Sequence, residues 1–415
     1  MPTHRGLGLM AVAVAFYLGA RLFGTFELYL MAYGLGLLLV GSWLWAVLSG
    51  RGVTVRIHVD PPSVVAGDSL EMHVEVENRS VLPAMGCEVT LGLSEMGARD
   101  ATMISGTLSP RKTWRGTRLS EPVWRGVYDL EPPACTLCDP LGLTRVRKAV
   151  GARPQVVVVP RVPRVDGLSP VTAGLVGAGG LRGSGGRGAG EFRAIRPHQP
   201  GEPLSRIHWP STARTGSLML RELEDAPRAD GMVVLDGTGS AVIGRRPGDT
   251  FELQVELAAG LADGVLRHGK PVMVLVHGAR DEFLNLEPVP ADRQRLLQSL
   301  AGVSPAAAQP VGEAIARAMA HGSRALSVVV VSAGHDPGLL ASLQHLARTR
   351  VGVFLIHVSA SSFLGLQQAL EEEKRFLVRL QSVGIPVLHV RKGDDPGAVL
   401  SDIRAAGTGA WEKAG

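Results

Sequence analysis

The stretch GMVVLDGTGS, residues 231–240, decides the fold. Met232, Val233, Val234 and Leu235 form a short, β-branched-rich apolar run that ends in Asp236 and a glycine-rich turn. Such a run reads as a strand buried on both faces, as in a parallel sheet. Further runs repeat it at 271–276 (PVMVLV), 326–331 (LSVVVV), 351–357 (VGVFLIH) and 385–390 (IPVLHV). Between the first two, Leu253, Leu257, Leu261 and Val265 recur at four-residue spacing, the stripe of a helix of about 17 residues. Helices are also expected over 291–301, 311–321, 337–348, 363–382 and 395–405, with a short edge strand at 282–288. Strand and helix in alternation give a doubly wound α/β sheet, which binds its ligands at the carboxyl ends of its strands. Asp236, Thr238 and Ser240 fall at such an end. One carboxylate and two hydroxyls suit Mg²⁺, a hard cation that prefers oxygen. The competing reading is that Asp236 and Ser240 hold the turn by local hydrogen bonds.

The chain as a whole has 415 residues, a length for two or three folded units. Its net charge of +5 is spread along the chain rather than gathered in a block, which argues against a nucleic-acid arm. Apolar character is concentrated at the start. Residues 6–23 carry only Arg21, and Leu28 to Leu48 carry no charge. Each run is long enough for a bilayer core of roughly 30 Å. A transmembrane helical hairpin over 1–50 is expected, with Tyr17, Tyr29, Trp43 and Trp45 near its interfaces. Arg5 precedes the hairpin and Arg51 and Arg56 follow it, which places both ends in the cytoplasm by the positive-inside rule. A signal peptide is the alternative, disfavoured because the second apolar run follows at once without a clear cleavage site. The location is then the inner (cytoplasmic) membrane with the soluble domains in the cytoplasm. Three cysteines, an odd and low count, agree with a reducing compartment.

Residues 51–160 alternate. Val53, Val55 and Ile57, then Leu70, Met72, Val74 and Val76, are interleaved with Thr54, Arg56, His58, Glu71, His73, Glu75 and Glu77. Turn clusters at Pro61-Pro62-Ser63 and Ala66-Gly67-Asp68 separate them, so a small β-sandwich is expected. Cys135 and Cys138 form a C-x-x-C without a second ligand pair for zinc, and read as two packed thiols. Asn78-Arg79-Ser80 is a formal glycosylation sequon that a cytoplasmic location makes irrelevant. A glycine-rich linker follows over 161–190. Gly183, Gly185 and Gly188 match G-x-G-x-x-G there, but lack the flanking strand and helix of a dinucleotide site.

The segment 191–230 opens EFRAIRPHQPGEPLSRIHWPSTARTGSLMLRELE (191–224). Arginines interleaved with carboxylates around Trp209 read as a structural cross-brace with the indole buried. Glu191, Glu202, His198 and His208 could be a metal cluster, but their spacing fits no standard pattern. Glu191-Phe192, Arg196, Gly201, Arg206-Ile207, Trp209, Ala213-Arg214 and Arg221-Glu222 resemble the pattern of a bacterial family, the domain of unknown function 58. His198, Glu202 and His208 depart from that pattern, standing where it has Tyr, Asp and Asp. The resemblance extends to Arg125-Gly126-Val127-Tyr128, to Asp139-Pro140-Leu141-Gly142-Leu143, to the anchor and to the α/β domain.

The resemblance implies a von Willebrand A-like fold for 231–410 and a partner of the MoxR-type AAA+ ATPase class. It also implies that Asp236-x-Thr238-x-Ser240 is a degenerate form of the D-x-S-x-S of a metal-ion-dependent adhesion site. The later Asp of that site is replaced by Ala333, the loop at Val311-Gly312-Glu313 has no Thr, and Asp336 lies three residues too late. The expected function is a membrane-anchored scaffold or assembly factor, not an enzyme, with partner or cation contact through Asp236, Thr238 and Ser240. Glu191, Phe192, Arg196, Arg206, Trp209, Arg214 and Arg221 are expected to be structural. The alternatives are a metal-dependent hydrolase using the His and Glu residues of 191–208, and a cation-dependent adhesion module. No H-E-x-x-H, G-x-S-x-G or Cys-His pattern supports the hydrolase.

Overall fold

A computed structural model describes residues 1–59, 63–165, 191–197, 207–224, 231–320, 327–335, 337–348, 351–364 and 367–401; for 191–197, 220–224 and 367–369 it describes the backbone alone. The chain divides into two compact units, Met1–Arg161 and Val162–Gly415.

The first unit begins with two helices, α1 (His4–Phe23) and α2 (Phe26–Arg51). An 18-residue stretch of each has a mean hydropathy of 1.7 and 1.8 respectively, and both helices are long and apolar enough to cross a membrane. The link is short because Gly24 closes α1 in the left-handed region at φ 65°, a conformation that costs glycine little. Tyr17 meets Tyr29 edge-on at 5.9 Å and Tyr33 at 6.4 Å, so the rings pack between the helices near that link. Only one face of α2 near its end is buried, through Ser42, Ala46, Ser49 and Gly50.

Ten strands follow. One sheet has the order β1-β3-β6, from β1 (Val53–Val59), β3 (Ser69–Asn78) and β6 (Thr113–Pro122). A second has the order β5-β4-β8-β9, from β4 (Ala84–Leu91), β5 (Ala101–Leu108), β8 (Ala134–Cys138) and β9 (Arg145–Ala149). A third sets β10 (Gln155–Val159) between β2 (Ser63–Val65) and β7 (Gly126–Asp129). The alternation read in the sequence holds: Leu70, Met72, Val74 and Val76 enter one core with Val89, Leu91, Leu137 and Val156. Each inward side chain is flanked by an outward one because the strand period is two.

The cysteine reading needs correction. Three residues apart on β8, Cys135 and Cys138 face opposite sides of the sheet. The packed pair is Cys135 with Cys87, Sγ to Sγ 3.4 Å, both buried in the core. The Arg125–Tyr128 run is also structural. The Tyr128 hydroxyl donates to the carbonyls of Trp124 and Arg125, each at 3.1 Å. Its ring thereby lies over Gly126, where a Cβ would stand 2.6 Å from a ring carbon. Only glycine fits that approach.

The second unit opens with Val162 and Val165 packed against an α/β core. The rest of the expected linker, 166–190, lies outside the described residues. A two-stranded antiparallel ribbon, β11 (Glu191–Pro197) and β12 (Met219–Glu224), follows, and between its strands stands the short helix α3 (Trp209–Thr215).

Next comes a six-stranded sheet of order β15-β14-β13-β16-β17-β18. Its strands are β13 (Gly231–Asp236), β14 (Val272–His277), β15 (Glu282–Leu286), β16 (Ser327–Ser332), β17 (Gly352–Val358) and β18 (Val387–Val390). All neighbours are parallel except β15, which pairs antiparallel with β14 at one edge. Val233 and Leu235 face one core, with α4 (Thr250–Arg267), α5 (Pro290–Gly302) and α10 (Pro396–Ser401). Met232 and Val234 face the other, with α6 (Val311–Ala320), α7 (Pro337–Arg348) and α9 (Gln367–Ser382). This is a doubly wound sheet, buried on both faces as its continuous apolar runs require.

Two details differ from expectation. Helix α4 is buried almost all round, not along one stripe: Gln254 and Asp263 are buried as well. Asp263 is tolerated there because it accepts from Arg267 Nε and Arg293 Nε, both at 2.6 Å. The helix expected over 363–382 is described in two pieces, α8 (Ala360–Leu364) and α9, with 365–366 outside the described residues.

Candidate functional site: the carboxyl ends of the central strands

In a sheet of this order the winding reverses between β13 and β16, and their carboxyl ends bound the crevice where doubly wound folds place ligands. Here the protein's own side chains occupy it. Asp236, at the end of β13 and 3% exposed, accepts at Oδ1 from the Thr238 amide (3.0 Å) and hydroxyl (2.6 Å). Its Oδ2 accepts from Ser332 Oγ at 2.5 Å, across the switch point from β16. Ser332 Oγ in turn accepts from the Gly334 amide at 2.8 Å. Thr238 is half-buried and Ser240 exposed. The neighbouring loop lies against this turn, with Ala307 N donating to the Gly237 carbonyl at 3.1 Å.

Asp236 and Thr238 are therefore together, and Ser240 lies beyond them on the surface. The sequence reading missed Ser332. A serine at the end of an apolar strand has no pattern of its own, and only the parallel register brings it to Asp236. Ala333 is buried, and Asp336 lies outside the described residues. This donor set does not fit a resident dication: it has one carboxylate, both of whose oxygens already accept from protein hydroxyls and an amide, where Mg²⁺ wants near-octahedral oxygen coordination. Among the described residues, no group of three or more His, Cys, Asp or Glu side chains could hold a metal.

The same edge of the sheet holds two charge clusters with no motif in the sequence. His277, at the end of β14 and buried, places Nδ1 at 2.6 Å from Asp281 Oδ1 and Nε2 at 2.9 Å from the Gln309 carbonyl. Arg317 adds a 2.6 Å bond to the other Asp281 oxygen. Burial opposes ionisation of Asp281, but His277 and Arg317 outweigh it and hold the carboxyl below its usual range.

The second cluster joins α9 to the ends of β17 and β18. Glu373, 1% exposed, accepts from His389 Nε2 at 2.7 Å and from the Ser361 amide at 3.1 Å. His357 Nε2 stands 3.4 Å from the same carboxylate, out of line for a hydrogen bond. Burial works to raise the Glu373 pKa, yet the contacts with His357 and His389 and the amide hold it far below the usual carboxylate range. His357, fully buried, is held below the ordinary histidine value, chiefly by burial.

The signs of these shifts agree. The unfolded chain takes up protons on His357 below about pH 6.5, and on Glu373 below about pH 4.3, that the folded chain refuses. Stability is therefore present above those values and declines as pH falls, first through the histidine window and then through the carboxylate window. Glu373→Gln should cost about 2 kcal/mol at pH 7.5. Its deficit against wild type should shrink below about pH 4.3, where the unfolded wild-type chain gains the proton that the folded carboxylate refuses. Melting curves from pH 7.5 to 3 check this, and parallel profiles for the two forms would refute it.

The 191–230 segment is described only in part. Arg206, His198, Gly201 and Glu202 lie outside the described residues. Glu191, Phe192, Arg196 and Arg221 are described as backbone in the ribbon, where Ile195 pairs with Arg221 and Arg196 with Leu220. Trp209 is not the buried centre of a brace: it is 66% exposed. It begins a seven-residue helix with no buried residue, so among the described residues no core at that helix receives the indole. Arg214 is exposed on the same helix. His208 serves locally, with Nδ1 at 2.8 Å from Ser211 Oγ.

The fold and this edge define the class: a doubly wound α/β unit whose switch point is closed by an Asp–Ser–Thr hydrogen-bond network, in a chain with two helices fit to cross a membrane. The family model for proteins of unknown function DUF58 matches residues 194–363, and that segment belongs to this family.

Among solved structures, the chain is similar to an aerotolerance-related membrane protein from Bacteroides fragilis NCTC 9343 carrying multiple mutations to serine, at 16% identity, over 42% of this chain and 96% of that one, with a TM-score of 0.31. It is also similar to BatB, a conserved hypothetical protein from Bacteroides thetaiotaomicron, at 18% identity, over 31% and 66% of the two chains, with a TM-score of 0.23. A glycoside hydrolase, the GH20 exo-β-N-acetylglucosaminidase of Vibrio harveyi, aligns at 11% identity over 81% and 75%, with a TM-score of 0.21. Superpositions this loose transfer neither mechanism nor partner. No curated protein matches the chain.

Proposed function

We propose that this protein is a membrane-anchored scaffold, held by the α1–α2 hairpin, whose α/β unit offers the turn at Thr238 and Ser240 to a protein partner. The α/β unit reads as von Willebrand A-like. Its sheet order, its antiparallel edge strand and the Asp236-x-Thr238-x-Ser240 turn support that reading. The observation that carries the proposal is the Ser332–Asp236 bond across the switch point. It fills the ligand crevice from within and braces a turn whose outer residues remain accessible, a rigid surface rather than a substrate pocket. The partner class implied by the family resemblance is an AAA+ ATPase. The non-catalytic reading is part of this proposal, as are the inner-membrane location and the cytoplasmic orientation.

The test is purification of the full chain from native membranes in mild detergent with ATP and Mg²⁺, followed by mass spectrometry of what accompanies it. Asp236 is buried, so its replacement could disturb the fold; Ser240→Arg alters only an exposed position. An AAA+ ATPase recovered with wild type and reduced at least about tenfold with Ser240→Arg, as expected of a central contact, supports the proposal. Equal recovery with both forms overturns the contact, and recovery with neither overturns the partner class. Repeating the purification with EDTA reports whether a cation takes part. Protease accessibility on intact cells separates this reading from an adhesion module facing outward. The hydrolase alternative rests on the His and Glu residues of 191–208, of which His208 alone is described with its side chain.

A further inference from the structure

At the foot of the hairpin, within the first unit, lies a cavity of about 1010 Å³. One wall is apolar: Leu7 from α1, and Trp43 and Val47 from α2. The other is cationic: Arg5 from the first turn of α1, and Arg145 and Arg147 from β9. The lining contains no Asp or Glu, and none of the three guanidiniums makes an ion pair with a carboxylate among the described residues.

The backbone holds the two walls in register. The Thr3 amide donates to the Leu143 carbonyl at 2.9 Å, and the Arg145 amide to the Met1 carbonyl at 2.9 Å. Gly6 lies so close to this loop that a Cβ there would collide with the Leu143 carbonyl oxygen. β9 is the edge of its sheet and its exposure alternates, so Arg145 and Arg147 project from one face, about 7 Å apart.

A charged edge strand discourages edge-to-edge pairing, and that alone would account for exposed cations on β9. It does not account for Arg5 reaching the same cavity from a different element, nor for the apolar wall opposite. Guanidinium groups recognise phosphate through paired N–H donors, and an apolar wall beside them suits acyl chains. Trp43 marks the depth: indoles gather where headgroups meet hydrocarbon.

We infer that this cavity binds the phosphate-bearing headgroup of an anionic membrane lipid, with Arg5, Arg145 and Arg147 around the phosphate and the acyl chains against Leu7, Trp43 and Val47. The inference rests on the reading of α1 and α2 as membrane-spanning, but not on the partner proposed above.

The experiment uses the full chain in detergent, titrated with phosphatidylglycerol, with phosphatidylcholine or with inorganic phosphate. Thermal stabilisation and retained lipid by native mass spectrometry are the readouts. Wild type should retain phosphatidylglycerol in preference to phosphatidylcholine. Arg145→Gln with Arg147→Gln should weaken that preference about thirtyfold, near fivefold for each lost charge at a membrane surface. Both positions are exposed on an edge strand, and an unchanged circular dichroism spectrum confirms the fold; Arg5→Gln tests the same cavity from α1. Retained preference in both variants overturns the site. Equal protection of wild type by inorganic phosphate overturns the lipid as its occupant. A chain released from membranes by carbonate wash overturns the membrane reading itself, a result separate from either of these.

Discussion

Asp139→Ala is expected to cost at least about 3 kcal/mol and to loosen the hairpin from the β-sheets that follow it, because one buried carboxylate serves four donors there. Its Oδ1 accepts from the Thr144 amide at 2.6 Å and hydroxyl at 3.2 Å. Its Oδ2 accepts from the Leu141 amide at 2.9 Å and from Ser42 Oγ, on α2, at 3.0 Å. The first three close the turn between β8 and β9, and the fourth ties α2 to that turn. Truncation leaves two backbone amides and two hydroxyls without an acceptor in a place where Asp139 is 2% exposed.

Linkage adds a pH signature. Burial works against ionisation of Asp139, but the bonds from Thr144, Leu141 and Ser42 prevail and hold its carboxyl below the ordinary range. A depressed carboxylate contributes stability that is complete above its unfolded value, about 3.9, and is lost as pH falls below it. The gap between wild type and Asp139→Ala should therefore narrow toward pH 3. Thermal melts of both forms in detergent, with limited proteolysis at the hairpin's foot, measure it. A variant that melts with wild type at pH 7.5 would falsify the assignment.

Asn78→Asp should be as severe, about 3–5 kcal/mol at neutral pH, with the opposite response to acid. Asn78 is fully buried at the end of β3. Its Nδ2 donates to the carbonyls of Leu82 at 2.9 Å, Leu108 at 3.1 Å and Ser109 at 3.4 Å, and its Oδ1 accepts from the Ser80 amide at 2.9 Å. Amide and carboxylate have the same shape, so sterics do not enter. The substitution turns a donor that satisfies the end of one strand and two loop carbonyls into a buried negative charge facing those oxygens. Desolvation and those oxygens would raise the pKa of the new carboxyl. Once protonated it can donate again, so the variant should recover part of its deficit between pH 7.5 and 5. Chemical denaturation at both pH values tests this, and a deficit that does not change with pH counts against it. The geometry also disposes of the Asn78-Arg79-Ser80 sequon in the folded chain, since the amide nitrogen that would carry a glycan is enclosed.

These residues show where sequence reading stops. The period-two run from Leu70 to Val76 and the apolar run from Met232 to Leu235 were legible, because burial repeats with the geometry of the strand. Asn78 and Asp139 were visible only as a sequon and as part of a family run. Beside local partners in their own turns, they bond to groups 30 and 31 positions away at the end of β5 and, in Ser42 of α2, 97 positions away. Trp209 was misread for the same reason: arginines and carboxylates interleaved with an indole suggest a brace, but whether a core exists beside a seven-residue helix is not a local property. The C-x-x-C failed more simply, since on a strand the spacing of three that suggests a pair sends the two thiols to opposite faces.

The candidate site divides along the same line. The sequence alone determined that Asp236, Thr238 and Ser240 share a turn after a buried strand. It also determined that the chain begins with two apolar stretches of spanning length, and that one doubly wound sheet follows an alternating β domain. Those are consequences of periodicity and length, which act within a few residues. Only the tertiary structure decided that Ser332 closes on Asp236, that Glu373 gathers His357 and His389, and that Arg5 meets Arg145 and Arg147 at the foot of the hairpin. Each of these contacts depends on strand order and register, which arise when the sheets assemble and bury their faces against helices. A short-range pattern carries no record of which neighbour a strand will choose.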